Sequence, residues 1–362
     1  MKVGPVMIMA GGTGGHIFPG LAVADVIRER EHSVVWLGTH AGLEATLVPG
    51  RGYDIEWITI SGLRGRGPVA WVATPFNLAR ALFQALVAFR RRRPSVVLGM
   101  GGFVSGPGGL AARLTGRPLV VHEQNAVAGT TNRVLARYAK VVFEAFPGTF
   151  PERRDTRLVG NPVRREIEAL DAPEVRLGAR RDGPVQLLVL GGSQGARVLN
   201  TVVPAAIGLV PEHLRPRILH QTGRSQADAA RSYAQIGADV ELTPFIEDIA
   251  AAYSSADLVV ARAGALTVAE LEAAGLGAIL IPYPYAIDDH QMKNAQAFCV
   301  RGAGIVIPES ACDARTLAAT LEPLLAHRER LLDMAQTARA QARTGAAVEI
   351  ASACLALAGA GT

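Results

Sequence analysis

The constraint that most narrows the fold is a unit that recurs along the chain: a short apolar run, a glycine loop, then a stretch with helical spacing. Its fullest copy lies between Asp257 and Asn294. There Leu258 to Ala261 reads as a strand, Gly264 breaks it, and Leu266, Ala269, Leu271 and Ala273 give the next helix one buried face. Free N–H groups and the positive end of the helix dipole gather at Ala265 to Thr267, where a phosphate would be held. Glu270, one turn further in, can accept both hydroxyls of a ribose.

The same unit opens the chain. Val6 to Ala10 is a strand, and Gly11-Gly12-Thr13-Gly14-Gly15-His16 is a loop whose backbone amides can approach an oxyanion. Pro19 helps to start a helix with Leu21, Ala22, Val26 and Ile27 facing inward. The loop departs from the dinucleotide fingerprint: G-x-G-x-x-G does not fit cleanly, and no acidic residue ends the second strand, Val34 to Leu37. Strands at Ile55 to Ile58, Val96 to Leu98, Leu119 to Val121 and Val141 to Phe143, separated by helical stretches, predict a parallel sheet with crossover helices. A second glycine loop, Gly99 to Gly109, follows Leu98, and the polar run His122-Glu123-Gln124-Asn125 follows Val121. Ligands of open α/β sheets bind beyond the carboxyl ends of strands, so these loops are expected to converge on one cleft.

From Phe146 to Arg165, proline, glycine and charge without periodicity mark a hinge. The plan then restarts with Val185 to Leu190, Gly191-Gly192-Ser193-Gln194-Gly195 and a helix from Ala196. Further strands are expected near Arg217 to His220, Val240 to Leu242, Leu258 to Ala261, Ala278 to Ile281 and Gly304 to Ile307. Asp313 to Leu357 is helical by its alanine and leucine spacing, and its last helix is expected to return to the first domain. At 362 residues, 49% of them hydrophobic, the chain can fill two cores. The expected fold class is therefore α/β, with two Rossmann-like, doubly wound parallel-sheet domains at 1–159 and 160–340, an interdomain cleft, and a returning helix at 341–362.

The net charge of +5 is concentrated: Arg90, Arg91, Arg92 and Arg93 stand in a row, with Arg64 and Arg66 upstream. With no aromatic interleaving, zinc knuckle or helix-turn-helix signature, this patch suits anionic lipid or acidic ligands and no nucleic acid. Cys299, Cys312 and Cys354 form no close pair, which fits a reducing cytosol, and the eight histidines lack metal-ligand spacing. Lys2 leads almost directly into a strand, too soon for a signal-peptide core. The uncharged run Pro94 to Ala112 carries too many glycines, and Pro107, for a lipid-facing helix.

Seven blocks stand in order: G-G-T-G-G-H at Gly11 to His16, G-G-F-V-S-G-P-G-G at Gly101 to Gly109, H-E-Q-N at His122 to Asn125, G-N-P-V-R at Gly160 to Arg164, G-G-S-Q-G at Gly191 to Gly195, A-L-T-V-A-E at Ala265 to Glu270, and D-D-H-Q at Asp288 to Gln291. Together they closely resemble the MurG family, the bacterial N-acetylglucosaminyltransferases of peptidoglycan synthesis, over nearly the whole chain. The resemblance implies a GT-B fold and inverting, metal-independent transfer of GlcNAc from UDP-GlcNAc to the MurNAc 4-hydroxyl of lipid I, undecaprenyl-pyrophosphoryl-MurNAc-pentapeptide, giving lipid II and UDP. It also implies a peripheral protein on the cytoplasmic face of the cell membrane, in the company of other cell-wall synthesis proteins.

Carried across by motif, the resemblance puts Ser193 and Arg164 near the diphosphate, Ile246 at the uracil, Ala265, Leu266, Thr267, Val268, Ala269 and Glu270 around the phosphate and ribose, and Gln291 at the sugar. Thr13, Gly14, Gly15 and Asn125 of the first domain would complete the donor site. Ala128, Ala263 and Gly277 stand where the family often has proline, serine and proline, changes of stiffness or packing. A UDP-GlcNAc 2-epimerase and a non-catalytic nucleotide-sugar-binding protein are the competing classes.

Single-displacement inversion needs a general base, and the charge of the departing UDP must be met. No D-x-D motif appears, and Asp288-Asp289 lacks partners at octahedral spacing, so no metal and no other cofactor is expected. Helix N-termini after Gly264 and Gly192, with Ser193 and Arg164, would act instead. His16 suits a base at neutral pH, and equally suits orienting its loop or binding the acceptor pyrophosphate; Glu123, His122 and His290 are alternatives. The apolar stretch from Val69 to Phe89, ending in four arginines, reads as a core helix or as one that docks on an anionic membrane surface.

Overall fold

The computed structural model describes residues 4–60, 68–151, 155–179, 183–192, 195–223, 226–286 and 289–359, with the backbone alone over 68–73. The chain divides into two compact units, Met1–Arg164 with Thr344–Thr362, and Arg165–Arg343. The first holds strands β1 (Val6–Ala10), β2 (Val34–Gly38), β3 (Asp54–Trp57), β4 (Val96–Gly101), β5 (Leu119–Glu123), β6 (Val141–Glu144) and β7 (Arg157–Leu158). They form one parallel sheet in the order β3-β2-β1-β4-β5-β6-β7. All five β1 residues are buried, because helices cover both faces of the sheet. On one face Ile17, Leu21 and Ile27 of α1 (Gly14–Glu29) pack with Ile350, Ala351 and Cys354 of α15 (Ala346–Gly359). On the other lie Ala85 and Phe89 of α3 (Pro68–Arg92), Ala111 of α4 (Ser105–Leu114) and Leu135 of α5 (Thr130–Ala136). A short α2 (Glu44–Gly50) follows β2.

The second unit repeats the plan with β8 (Gln186–Leu190), β9 (Arg217–Gln221), β10 (Val240–Thr243), β11 (Leu258–Ala261), β12 (Ala278–Leu280) and β13 (Gly304–Val306), parallel in the order β10-β9-β8-β11-β12-β13. Its helices are α6 (Arg165–Glu168), α7 (Pro173–Gly178), α8 (Arg197–Leu209), α9 (Gln226–Ile236), α10 (Ile249–Ser255), α11 (Ala265–Ala274), α12 (His290–Cys299), α13 (Ala314–Ala326) and α14 (Arg328–Gln341). Leu187, Val189, Val203, Ile207, Leu317 and Leu321 are among the residues of its core.

Several elements differ from the sequence expectation. The first helix starts at Gly14, five residues before Pro19, so Gly14, Gly15 and His16 form its first turn. β5 runs on to Glu123, which makes His122 and Glu123 strand residues; Val120, Val121, His122 and Glu123 pair with Val141 to Glu144. Within the stretch read as a hinge, Arg157–Leu158 forms the edge strand of the first sheet. The helix after the Gly191 loop begins at Arg197, one residue past the expected Ala196, which is its N-cap. Pro94 to Ala112 is divided between β4 and α4, and among the described residues no helix is long and apolar enough to cross a membrane. At Gly277, where proline was the comparison, a Cβ would lie 2.8 Å from the Met334 Cβ, so glycine lets α14 close on the sheet.

Candidate functional site

Strand order reverses between β1 and β4 in the first sheet and between β8 and β11 in the second. At such points the loops leave in opposite directions and open a crevice at the carboxyl ends. In the first unit that crevice is flanked by the Gly11 loop and by Gly101-Gly102. The two loops approach so closely that a Cβ on Gly102, whose φ is +80°, would lie 2.3 Å from the Gly11 carbonyl oxygen. Ser105, fully buried, links them: its Oγ lies 3.0 Å from the Met9 carbonyl oxygen and accepts the Gly101 N–H at 3.1 Å. Behind the Gly11 loop sits buried Glu44, which accepts the Gly12 N–H at 3.0 Å, with Thr39 N–H and hydroxyl on its other oxygen. The Gly12 amide, expected to face an oxyanion, is therefore occupied by a carboxylate of the protein.

Thr13 is exposed at the N-terminal flank of α1 and makes no side-chain cap, while Gly14 and half-buried His16 lie in the first turn and Gly15 is exposed. His16 Nδ1 is 3.0 Å from Gln124 Oε1. Gln124 Nε2 is 3.0 Å from His122 Nδ1, and His122 Nε2 is 2.9 Å from the Gly160 carbonyl oxygen. His122 is buried, and burial lowers its pKa to about 4.

Glu123, one of the alternative bases, is almost fully buried. Its Oε1 accepts from the Asn125 backbone N–H and side-chain amide, and its Oε2 from Gly129 N–H and the Asn132 amide. With four donors on two oxygens, it organises the loop that carries Asn125, and its lone pairs are engaged. Arg164 closes the first unit, its guanidinium 5.1 Å from the Phe18 ring in α1. Glu44, Ser105 and Asn132 escaped the sequence reading because they act from 32, 96 and 9 residues away on the groups they hold, with no local pattern to expose them.

In the second unit, Gly264 is extended and α11 starts at Ala265, so Ala265, Leu266 and Thr267 form its first turn. Val268 is buried, Ala269 half-buried, and Glu270, 6% exposed, receives the Tyr253 hydroxyl on Oε2 at 3.0 Å. Arg262 ties this loop to the one after β12, donating to the Ile281 carbonyl at 3.1 Å and pairing with Glu309, and Asn294 of α12 donates to the Ala263 carbonyl at 3.2 Å. Gln291, in the first turn of α12, accepts the Tyr283 N–H at 2.9 Å. Ile246 is half-buried in the loop after β10, the edge strand. These residues all follow carboxyl ends of parallel strands and so share one end of the sheet. Ser193, Asp288, Arg64 and Arg66 lie outside the described residues. Among the described residues no group of three His, Cys, Asp or Glu side chains is placed to hold a metal ion.

Two family models match the chain: the glycosyltransferase family 28 N-terminal domain over residues 6–144 and its C-terminal domain over 186–350. A UDP-N-acetylglucosamine–N-acetylmuramyl-(pentapeptide) pyrophosphoryl-undecaprenol N-acetylglucosamine transferase of Nitrosococcus oceani is 57% identical over 97% of this chain and 98% of its own. The protein of that name from Alkalilimnicola ehrlichii is 54% identical over 97% and 98%. MurG of Acinetobacter baumannii has a crystal structure that superimposes with a TM-score of 0.83 at 39% identity, covering 98% of this chain and 99% of its own. The glycosyltransferase of kitacinnamycin, at 16% identity and a TM-score of 0.71, shares the fold. With both domain models matched in order and full-length relatives above half identity, the chain belongs to glycosyltransferase family 28.

Proposed function

We propose that this protein transfers GlcNAc from UDP-GlcNAc to the MurNAc 4-hydroxyl of lipid I, with inversion at the anomeric carbon and release of UDP. The observation that carries the reading is the placement of the motifs: those described lie at the carboxyl ends of strands, and four loops flank the two points where strand order reverses. The second unit holds the donor. The first turn of α11 faces the diphosphate, Glu270 the ribose, Ile246 the uracil and Gln291 the sugar, with Ser193 and Arg164 adding donors to the phosphates. A helix N-terminus contributes about 0.3–2 kcal/mol toward an anion and each charge-assisted hydrogen bond about 1.5–3 kcal/mol, so several together stabilise a departing UDP without a cation.

The first unit supplies the base. His16 takes the proton of the attacking hydroxyl, and Thr13, Gly14, Gly15 and Asn125 are the substrate-binding residues of this unit. Glu123, saturated by four donors, shapes the loop and does not move the proton. The acceptor carries a long lipid, so the protein works at the cytoplasmic membrane surface. The exposed Phe76, Leu78, Phe83 and Val87 of α3, Leu110 and Leu114 of α4 and Val134 of α5 form the apolar side that meets it. Two of the arginines expected to meet lipid have other partners: Arg91 pairs with Glu56, and Arg92 with Glu56 and Asp54. Arg90 and Arg93, both exposed, carry the remaining charge of that row.

The test is turnover with radiolabelled UDP-GlcNAc and a short-chain lipid I analogue, with and without EDTA. UDP release in step with label on the acceptor, unaffected by EDTA, is expected. Free ManNAc with no labelled acceptor would mark an epimerase, and UDP binding without turnover a binding protein.

A further inference from the structure

Four groups in the first unit form a continuous hydrogen-bonded line, His16, Gln124, His122 and the Gly160 carbonyl, with separations of 3.0, 3.0 and 2.9 Å. We infer that this line fixes His16 as the Nδ1–H tautomer with a bare Nε2, so that Gln124 and His122 are positioning residues for the base. The inference rests on the reading of His16 as the base and adds which nitrogen acts and what sets it.

The argument starts at the buried end. A carbonyl oxygen only accepts, so His122 Nε2, 2.9 Å from Gly160, carries a hydrogen. His122 has no exposed surface, and burial holds it neutral, so its Nδ1 has a lone pair and must be met by a donor. Gln124 Nε2 is that donor at 3.0 Å, and it also lies 3.3 Å from the His122 carbonyl oxygen. Turning the amide over would set its oxygen against two acceptors at once, so the orientation is decided by two independent neighbours. Gln124 Oε1 then faces His16 Nδ1, and since it only accepts, Nδ1 holds the hydrogen and Nε2 is bare.

The line is anchored from the G-N-P-V-R segment. Gly160 supplies the terminal acceptor, and the Asn161 amide donates to the Gln124 carbonyl oxygen at 3.0 Å, fixing the backbone from which the glutamine side chain projects. The proton balance is simple. As the acceptor oxygen bonds to C1 of GlcNAc and the C1–O bond to UDP breaks with its electron pair leaving on the β-phosphate, the hydroxyl proton passes to His16 Nε2. The resulting imidazolium keeps its Nδ1–H on a neutral amide oxygen. The proton then passes from Nε2 to solvent, which restores the starting tautomer.

The experiment is two-bond 15N–1H NMR of the full-length protein labelled at histidine, with signals assigned through His16→Ala and His122→Asn. Expected at pH 7.5 are His16 protonated on Nδ1 and His122 protonated on Nε2. Gln124→Met, close in volume but with only a weakly accepting thioether and no donor, should move His16 toward the Nε2–H form. It should lower kcat by about 10–1,000-fold, within the roughly 100–10,000-fold that a positioned base supplies, while KM for UDP-GlcNAc changes less than about twofold. A wild-type His16 protonated on Nε2 overturns the inference, as does a Gln124→Met protein with unchanged kcat. If Gln124→Met fails to fold, the wild-type spectrum decides alone. Unchanged turnover in His16→Ala removes His16 as the base whatever its tautomer, whereas inactive His16→Ala with the wrong tautomer removes only the relay.

Discussion

Glu270, proposed above to face the ribose, is held in place by a neighbour within its own unit. It sits 6% exposed on α11, and its Oε2 accepts the Tyr253 hydroxyl at 3.0 Å, which restrains its orientation. Glu270→Ala should weaken UDP binding by about 1–3 kcal/mol in calorimetry through lost ribose hydrogen bonds, and unchanged affinity would place the ribose elsewhere. His122 gives a second prediction at this scale. Its folded pKa is near 4 because burial penalises the charged form, against about 6.5 unfolded, so between those values the unfolded chain binds a proton that the folded one declines. Stability must therefore fall as pH drops, by about 2 kcal/mol at pH 5 relative to pH 7.5 from this group. Trp36, Trp57 and Trp71, the only tryptophans, all belong to the first unit, so tryptophan fluorescence reads its denaturant midpoint. An equal midpoint at pH 5 and 7.5 would contradict the buried neutral state. In the second unit buried His220 has the same sign, but Glu272, raised to about 7 by desolvation, opposes it. Of these residues, Glu270 is singled out in the sequence by its distance from a helix start. That His122 and Gln124 form one line with His16 was not legible, since it depends on β1 and β5 lying either side of β4.

Elements were legible where their signal is local. The five-residue β1 and the run Leu258–Ala261 have the ends that their apolar runs suggest, because glycine or a charge follows at once. β5 outran its hydrophobic run by two residues, since ladder bonds to β6 carry His122 and Glu123 into the sheet despite their polarity. Pro19 misled in the other direction: it signals a helix start, yet α1 begins at Gly14. The amphipathic reading of α3 was half of the answer. Ala81, Ala85, Ala88 and Phe89 pack inward while Phe76 and Phe83 stand 73% and 68% exposed, so one helix serves both core and surface. Flotation with anionic vesicles should show binding at low salt that falls at high salt as the charges are screened. Phe83→Ser should weaken binding about tenfold or more, given roughly 1.5–3 kcal/mol for burying such a ring, with secondary structure unchanged. Equal flotation of Phe83→Ser and wild type would exclude this face as the docking surface.

At the scale of the whole chain, one architecture occurs twice, as a seven-stranded and a six-stranded parallel sheet, each reversing its strand order beside a glycine loop. That repetition was readable because strand, loop and helix follow within about thirty residues of one another, the range over which hydrophobic period and glycine position carry information. The C-terminal stretch reads as helical from its alanine and leucine spacing, and α15 packs on α1 through Ile350 and Cys354. The position of Arg164 in the first unit was not foreseen, because a charged residue in a segment without periodicity gives no sign of which core it will join. The central claim is chemical: the protein carries out one inverting transfer of GlcNAc from UDP-GlcNAc to the MurNAc 4-hydroxyl of lipid I. The most direct measurement is the proton coupling across the new glycosidic bond when UDP-GlcNAc is turned over with a short-chain lipid I analogue. A β-linked GlcNAc on the MurNAc 4-hydroxyl is predicted, and an α link, or a labelled acceptor modified at any other hydroxyl, would contradict the account.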